Sequence, residues 1–437
     1  MEHKSLWSDT TSAPHFEKLK GDINCDTLVV GGGLAGLLCA YTLSNAGVDC
    51  VLTEAKRVCA GITKDTTAKI TSQHGLIYHK LIKRFGEEGA RAYFLANERA
   101  LEEYRELCRD IDCDFEQKDS CIYSLDDREL LDRELFAARS IGANADYVKT
   151  LPLPFNTAGA VRFKNQAQFH PLKFAYAIAK NIPRIYENTK VRELMPGFAV
   201  TDGGRIKAKR IIIATHFPVL NKHGMYYMKL HQHRSYALGL TGALRSADAF
   251  DMYLDGSGNG LSLRQSGDVL IFGGGGHRTG ERGGGFSFLE SEAKKYYPRA
   301  EIRYRWAAQD CMTLDEVPYI GEYSSKTEGL FVATGFNKWG MSSSMVAARV
   351  LADRILGKKN PHAFVFSPSR SMLYPSLARN LAKTLVNFLT PTSPRCPHLG
   401  CALKYNKEEH SWDCPCHGSR FTEDMQLIDN PATDDKR

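Results

Sequence analysis

The sequence predicts a chain of the α/β class that combines a parallel sheet, an antiparallel sheet and a small all-β segment at the C-terminus. A glycine-rich string, G-G-G-L-A-G, joins a buried strand to a helix near the N-terminus. Strand-like sequence with glycine-containing turns extends from about 226 to 305, and two short strings of Cys and His stand between 396 and 419. The first observation predicts the parallel sheet, the second the antiparallel sheet, and the third a pair of ligand-binding loops.

The glycine-rich string has the spacing of a Rossmann-like nucleotide-binding turn. The strand D-T-L-V-V precedes it, a helix follows to about residue 46, and the next strand ends at residue 53. The three glycines of this pattern provide the tight turn, the close approach to a pyrophosphate and the packing of helix on strand. The helix N-terminus attracts phosphate, and an acid after the second strand is placed to bind ribose hydroxyls. These positions are Gly31, Gly33, Gly36 and Glu54.

Later segments distinguish FAD from NAD. The segment 210–215 follows a predicted hairpin and resembles the strand that closes the FAD domain of two-domain flavoproteins. The segments 60–71, 306–321 and 329–342 resemble parts of the D-amino-acid-oxidase-like flavoproteins, in which a helix N-terminus, here near residue 340, faces the flavin. The resemblance implies bound FAD. The implied contacts are Thr66, Thr67, Lys69, Val191, Asn337, Lys338, Trp339 and Gly340.

The two Cys/His strings, C-P-H-L-G-C and C-P-C-H-G-S, supply two thiolates and two imidazoles. The four candidate metal ligands are Cys396, His398, Cys414 and His417. Sulfur and nitrogen ligands on two loops suit an iron–sulfur site in which sulfur holds one iron and nitrogen the other. The same four residues can also close a tetrahedral zinc site. Because zinc fingers usually place both Cys before both His, the order favours the iron–sulfur site.

The two strings resemble the cluster-binding loops of the Rieske family of 2Fe–2S proteins. The resemblance implies a disulfide between Cys401 and Cys416 and a hydrogen bond from Ser419 to cluster sulfur. High-potential relatives carry a Tyr where this chain has Phe421, which predicts a middle potential within the family range of about −150 to +300 mV. A full Rieske domain has several strands before its first ligand loop. This chain has almost no room for them, so we expect a truncated segment that leans on the flavin domain.

Composition and charge exclude several classes of protein. The 437 residues, with 43% hydrophobic and 24% charged, are typical of a globular protein of two or three domains. The net charge of +7 has no dense basic run, so no nucleic-acid partner is expected. The first 25 residues lack the apolar core of a signal peptide, and no apolar run reaches membrane-spanning length. Eight of twelve cysteines are scattered through predicted elements, which predicts a reducing, cytoplasmic location.

The catalytic residues are not identified by the sequence. The string L-I-F-G-G-G-G-H-R ends in glycines that allow close approach of the backbone to a ligand. The candidates for catalysis are His277 and Arg278 at its end and Lys338 near the flavin. A further polar group on a predicted strand edge consists of His231, His233, Arg234 and Tyr236.

The predicted domain organisation has three units. Residues 1–372 form an FAD-dependent oxidoreductase, with an FAD-binding part at about 22–72, 160–220 and 318–357 and a substrate part at about 74–159 and 225–312. Residues 373–394 form a linker helix and a stiff spacer, and 395–437 the truncated Rieske segment. The linker helix carries Leu377, Leu381, Leu385 and Phe388 on one face. We expect the helix to pack on the flavin domain; the alternative is contact with a membrane surface, aided by Arg379 and Lys383.

These features lead to a functional hypothesis with two alternatives. An amine or amino-acid-like small molecule gives hydride to the flavin, and the cluster passes the electrons singly to an external acceptor. In the first alternative the chain only transfers electrons, to or from a donor or acceptor, and oxidises no substrate of its own. In the second it is a flavin oxidase whose C-terminal segment binds zinc as a structural clip.

Overall fold

The computed structural model describes residues 4–220, 223–244, 250–257, 260–391 and 394–433, whose strands form sheets of eight, nine and four strands. The helices among these residues are Leu6–Asp9, Leu34–Asn45, Tyr78–Leu107, Arg128–Ser140, Pro171–Lys180, Tyr226–Lys229, Gly285–Tyr296, Gly340–Ile355 and Pro375–Leu389, with 3-10 turns at Ile62–Asp65 and Ala363–Phe366. Within Tyr78–Leu107, Gly86 has φ +71° and breaks the helix. None of the described helices is both long and apolar enough to cross a bilayer.

The eight-stranded sheet is the predicted Rossmann-like unit. Its path runs Tyr319–Glu322, Leu330–Thr334, Gly204–Ile213, Ile23–Val30, Cys50–Thr53 and Ile185–Tyr186, and the hairpin Val191–Met195 with Phe198–Thr201 extends from Gly204–Ile213. The central strands pair in parallel, with Val30 beside both Ile213 and Thr53. They are apolar and buried because helices Leu34–Asn45 and Gly340–Ile355 pack on the sheet and on each other. The predicted α/β class is confirmed.

The nine-stranded sheet is antiparallel except for one parallel pair. Its strands are Lys69–Ile70, Glu116–Ser124, Ala145–Val148, Gly159–Gln168, Leu230–Thr241, Met252–Asp255, Ser262–Ser266, Val269–Arg278 and Glu301–Thr313, and the parallel pair joins Met252–Asp255 to Glu116–Ser124. Gly159–Gln168 pairs with Glu116–Ser124 here, so the FAD-binding part predicted to resume at about 160 begins after this strand. The predicted strand-like region also contains the helix Gly285–Tyr296, because Phe286, Leu289 and Ala293 recur at helical spacing and are buried.

The C-terminal segment forms a four-stranded antiparallel sheet of Lys404–Asn406, Ser411–Asp413, Arg420–Thr422 and Leu427–Asp429. The two Cys/His loops lie before the first strand and between the second and third. The preceding linker helix, Pro375–Leu389, has the predicted amphipathic pattern but the opposite orientation: Leu381, Leu385 and Phe388 are 44 to 59% exposed. The expected packing of this face on the flavin domain is therefore wrong, since the helix contacts the protein through its polar side.

Candidate functional site

A cavity of about 1630 Å³ is lined by residues of both larger sheets and of the C-terminal segment. The glycine-rich turn forms one end of it, with Gly31 and Gly33 in its wall. A Cβ at Gly36 would lie 1.9 Å from the carbonyl oxygen of Gly31, and Gly31 itself has φ +110°. Gly36 therefore sets the contact between helix and turn, and Gly31 allows the tight turn against the Ala214 carbonyl, 2.5 Å from where its Cβ would lie. Gly33 lies in the cavity wall, where the Rossmann-like pattern predicts the close approach of a pyrophosphate.

Glu54 and Val191, which the sequence predicts to bind the ribose and the adenine of the nucleotide, both line the cavity. Glu54 Oε2 accepts a hydrogen bond from the Gly32 amide at 2.7 Å, and its Oε1 accepts one from the Lys56 amide at 2.8 Å. Burial raises the pKa of Glu54. The carboxyl group is thus held at the glycine turn by backbone amides, as a ribose-binding acid requires.

The segment predicted to pass the flavin ring also lines the cavity, with Thr66, Thr67 and Lys69 in its wall. Lys69 Nζ donates to the carbonyl of Tyr253 at 3.1 Å and to Ser262 Oγ at 2.5 Å. Burial lowers the pKa of Lys69 to about 7. Lys69 therefore ties this segment to strands Met252–Asp255 and Ser262–Ser266 of the nine-stranded sheet and brings a titratable amine to the cavity.

The loop before helix Gly340–Ile355 is held in an unusual conformation. Asn337 and Lys338 have φ +50° and +73°, a region that non-glycine residues rarely adopt. Asn337 Oδ1 accepts from the Thr313 amide at 2.7 Å, and Trp339 stacks on His74 with ring centroids 4.8 Å apart. The Lys338 side chain extends into the cavity, and enclosure by protein lowers its pKa. All four predicted residues of this loop, Asn337 to Gly340, lie in the cavity wall.

Two of the three catalytic candidates do not line the cavity. His277 Nε2 contacts the Tyr236 hydroxyl at 2.9 Å, and its Nδ1 lies 2.9 Å from the carbonyl oxygen of Arg278. Arg278 donates to Asn380 Oδ1 at 2.6 Å and to the carbonyl of Cys416 at 3.3 Å. Because Arg278 is used to hold a cluster loop and the linker helix, only Lys338 of the three reaches the space where a flavin and substrate fit.

The structure brings the predicted cluster residues together. The His398 and His417 rings have centroids 5.1 Å apart, and Cys396 and Cys414 lie in the same small buried cluster as Cys401, Cys416 and Phe421. Cys401 and Cys416 are joined by a disulfide. The sulfur atoms of Cys401, Cys414 and Cys416 lie within 4.8 Å of one another, so the disulfide stands beside the Cys414 thiol. Ser419 Oγ accepts from the Ala432 amide at 3.0 Å.

The chemistry of these side chains fits a cluster ligated by two Cys and two His. The buried Nδ1 of His417 has no hydrogen-bond partner in the described chain. Burial lowers the pKa of His417 to about 3 and that of His398 to about 4, so both rings are neutral, as metal ligands must be. A hydrogen bond from the Cys414 thiol lowers the pKa of Cys396 to about 6. The site therefore offers a thiolate and neutral imidazoles at ordinary pH.

The C-terminal segment also forms part of the cavity wall, a feature that the sequence did not reveal. Arg234 Nε donates to Glu409 Oε1 at 2.9 Å, and Arg420 Nη2 donates to Glu409 Oε2 at 2.8 Å. All three side chains line the cavity and are at most 8% exposed. Burial acts to raise the pKa of Glu409, but the two guanidinium groups outweigh it and hold the pKa at about 2. This ion-pair group joins the nine-stranded sheet to the cluster segment.

The cavity wall and the cluster loops meet after strand Gly204–Ile213. His216 lines the cavity, and the ring of its neighbour Phe217 packs edge-on against His398, with centroids 6.5 Å apart. Asn430 Nδ2 donates to the carbonyls of Thr215 and Phe217 at 2.8 and 3.0 Å. The residue next to His216 of the cavity wall therefore contacts His398, a predicted cluster ligand.

Comparison with known proteins agrees with these two sites. The family model described as FAD dependent oxidoreductase matches residues 26–354, and the model of the Rieske [2Fe-2S] domain matches 384–436. A relative in Bacillus subtilis (strain 168), named as the Rieske 2Fe-2S iron-sulfur protein YhfW, is 33% identical over 98% of this chain and 96% of its own. Gamma-glutamylputrescine oxidoreductase of Escherichia coli (strain K12) is 24% identical over 82% of this chain and 90% of its own.

Solved structures share the fold of the flavin part. Glycine oxidase from Geobacillus kaustophilus superposes with a TM-score of 0.65 at 21% identity, covering 80% of this chain and 99% of its own. Together these matches confirm the predicted oxidoreductase class and the two predicted cofactors, FAD and a 2Fe–2S cluster. Because the C-terminal segment matches the Rieske [2Fe-2S] model, the cluster is favoured over the zinc alternative.

Proposed function

We propose that this chain, which belongs to the FAD-dependent oxidoreductase family and ends in a Rieske [2Fe-2S] domain, oxidises an amine or amino-acid-like substrate. FAD supplies the two-electron acceptor for such a substrate, and the cluster passes electrons singly to an external acceptor. The observation that carries the electron route is the contact between Phe217 and His398, one residue beyond the cavity wall. The relatives named for amine or amino-acid chemistry support the substrate class.

The side chains of the cavity have distinct roles in this proposal. Glu54 and the glycine turn hold the nucleotide end, and Lys338 brings positive charge to the side of the cavity near helix Gly340–Ile355. The ion pair of Arg234 with Glu409 closes the opposite wall and excludes water. No described histidine or carboxylate stands out as a general base, and none is required if the substrate amine binds in its neutral form.

The cluster loops are held where they can receive electrons from the cavity. Gln309 Nε2 donates to the carbonyl of Gly418 at 2.8 Å, and a Cβ at Gly418 would collide with Gln232. Arg278 holds the carbonyl of Cys416. These contacts fix the loop that carries Cys414 and His417 against the wall of the nine-stranded sheet. We also propose a cytoplasmic location, supported by eight cysteines outside the loops that form no disulfide.

Anaerobic mixing of the purified holoprotein with a panel of amines and amino acids tests the proposal. We expect one of them to bleach the flavin and to produce the electron paramagnetic resonance signal of a reduced Rieske cluster. A Cys414→Ser variant should still bleach but give no such signal, whereas Cys25→Ser, outside both sites, should behave as the unchanged protein. No bleaching by any compound favours the pure electron-transfer alternative, and bleaching with a cluster that stays oxidised contradicts the electron route.

A further inference from the structure

The linker helix Pro375–Leu389 contacts the protein through its polar side. Asn380 Oδ1 accepts from Arg278 at 2.6 Å, and the carbonyl of Asn387 accepts from the Ala402 amide at 3.0 Å. Lys383 pairs with Glu281, in the turn that follows strand Val269–Arg278. Surface helices of globular proteins usually bury the apolar side instead. This helix therefore has the reverse orientation.

The apolar side of the helix points away from the protein. The outer helix face consists of Leu381, Leu385, Val386, Phe388 and Leu389, which are 44 to 67% exposed. Half of the exposed large apolar side chains in the described chain lie between 373 and 399, including Leu399 on the first cluster loop at 44%. Scattered apolar residues are ordinary on a surface, but a contiguous group of this kind marks a contact site.

The charge around this face is one-sided. From 354 to 407 the sequence contains no Asp or Glu and nine Lys or Arg, although the whole chain has 57 basic and 50 acidic residues. Three of these cations pair with acids elsewhere: Arg354 with Glu322, Arg370 with Asp315, and Lys383 with Glu281. Arg379, on the linker helix itself, and Lys404, which follows the first cluster loop, are exposed cations without an acid in their own segment.

We propose that the outer helix face binds the surface of an anionic lipid bilayer, with the helix lying in the plane of the interface. An amphipathic helix with large apolar side chains and flanking Lys and Arg is the sequence pattern of such binding. Each cation near an anionic leaflet adds to the attraction. A second copy of this chain is a poorer occupant, because its identical face would bring the same cations together.

The inference goes beyond the proposed function, and it gives the cluster a position. A Cβ at Gly400 would lie 3.6 Å from the Phe388 ring, so the first cluster loop rests against the outer helix face. Leu399 in that loop is the neighbour of the ligand candidate His398. Bilayer binding through this surface therefore places the cluster loop, and not the cavity, next to the lipid.

Flotation of the holoprotein with vesicles tests the inference. We expect binding to vesicles containing phosphatidylglycerol, weaker binding to pure phosphatidylcholine, and release by high salt. Leu381→Glu and Leu385→Glu should each weaken the binding by about tenfold or more, because each removes a buried leucine from the lipid contact. Phe136→Glu is the matched control, since Phe136 is 77% exposed on the distant helix Arg128–Ser140 and its change should leave binding unaltered.

Unchanged flavin and cluster absorption spectra establish that the variants are folded. The inference is overturned if the holoprotein stays unbound to anionic vesicles, or if all three variants bind as the unchanged protein does. It is also overturned if the protein is a dimer that Leu385→Glu converts to a monomer while vesicles bind neither form. Flavin bleaching by a substrate is independent of all these results, so the proposed function is tested separately.

Discussion

Removal of the Glu409 charge is the sharpest test of how the cluster segment is held. Glu409 accepts hydrogen bonds from Arg234, Tyr236 and Arg420, and its side chain is only 8% exposed. Arg420 keeps Asp413 at 3.0 Å and Asp429 at 3.1 Å when Glu409 is lost. Among the residues that the structure describes, Arg234 has no other acid in salt-bridge contact, and its side chain is 3% exposed. Glu409→Gln therefore leaves one buried cation without its counter-charge.

The cost of that change follows from the geometry. Removal of one partner from a buried ion pair typically costs about 3–5 kcal/mol. The Gln side chain still accepts a hydrogen bond, so we expect a loss of about 3 kcal/mol in the free energy of unfolding. Glu408→Gln is the matched control: Glu408 accepts from the Ser287 amide at 3.1 Å and from its hydroxyl, both neutral groups, so its loss should cost about 1 kcal/mol.

Urea unfolding of the holoprotein, followed by the visible circular dichroism of the cluster, measures both variants. We expect Glu409→Gln to release the cluster segment at a clearly lower urea concentration than Glu408→Gln. Flavin fluorescence recorded in the same titration reports whether the cavity opens with it. Equal midpoints for the two variants would refute the assignment of the Arg234–Glu409–Arg420 group as the main attachment.

The pH dependence of the same pair has a definite sign. Because the folded pKa of Glu409 is about 2 and the ordinary value is 4.5, the native state binds fewer protons between these values. The contribution of Glu409 to stability is complete above about pH 4.5 and is lost as the pH falls toward about 2. As the pH falls from about 4.5 to about 2, the free energy of unfolding of the unchanged protein should therefore decrease more steeply than that of Glu409→Gln. The difference in stability between the two proteins should become smaller over this range.

Three further predictions concern the cofactor sites. Gly36→Ala should abolish FAD retention, because its Cβ would lie 1.9 Å from the Gly31 carbonyl oxygen. Gly61→Ala should retain FAD, because a Cβ at Gly61 meets no atom within 4 Å. Absorption spectra of the two purified variants measure the bound FAD. Phe421→Tyr should raise the cluster potential by about 60 mV in redox titration, with the new hydroxyl donating to a ligand sulfur. A hydrogen bond that stabilises the reduced cluster by about 1.5 kcal/mol more than the oxidised cluster has this effect for one electron. The fragment 394–437 expressed alone should yield no soluble cluster-loaded protein, since its contacts with Gln309 and Arg278 are missing.

The parts of the fold that sequence predicts are those encoded by neighbouring residues. The glycine turn was predictable because the clash of Gly36 with Gly31 involves residues five positions apart. The sheet to which Gly159–Gln168 belongs was not, since its partner strand Glu116–Ser124 lies far back in the chain and both sheets need apolar strands. The helix Gly285–Tyr296 was hidden by the glycines that precede it, which indicate turns and not a helix start.

The same distinction holds for the sites. The Cys and His strings are short and their chemistry is local, so the candidate ligands were found from sequence. The pairing of Arg234 with Glu409 spans 175 residues and leaves no pattern in either neighbourhood. The linker helix shows the limit most clearly: periodicity predicts that Leu381 and Leu385 share a face, but only the polar contacts of Asn380 determine that this face points outward.

The short Rieske segment and the closed cavity form one energetic unit. Asn430 donates to the carbonyls on both sides of His216 in the cavity wall. Two residues after Asn430, the amide of Ala432 donates to Ser419 of the second cluster loop. A displacement of the second cluster loop therefore shifts the chain after strand Gly204–Ile213, which lines the flavin site. A change at the flavin site shifts the cluster loop in turn, because coupling between sites is reciprocal. A segment too small to bury a large core of its own gains stability from the wall on which it packs, and the cavity gains lining residues from that segment, Glu409 and Arg420 among them.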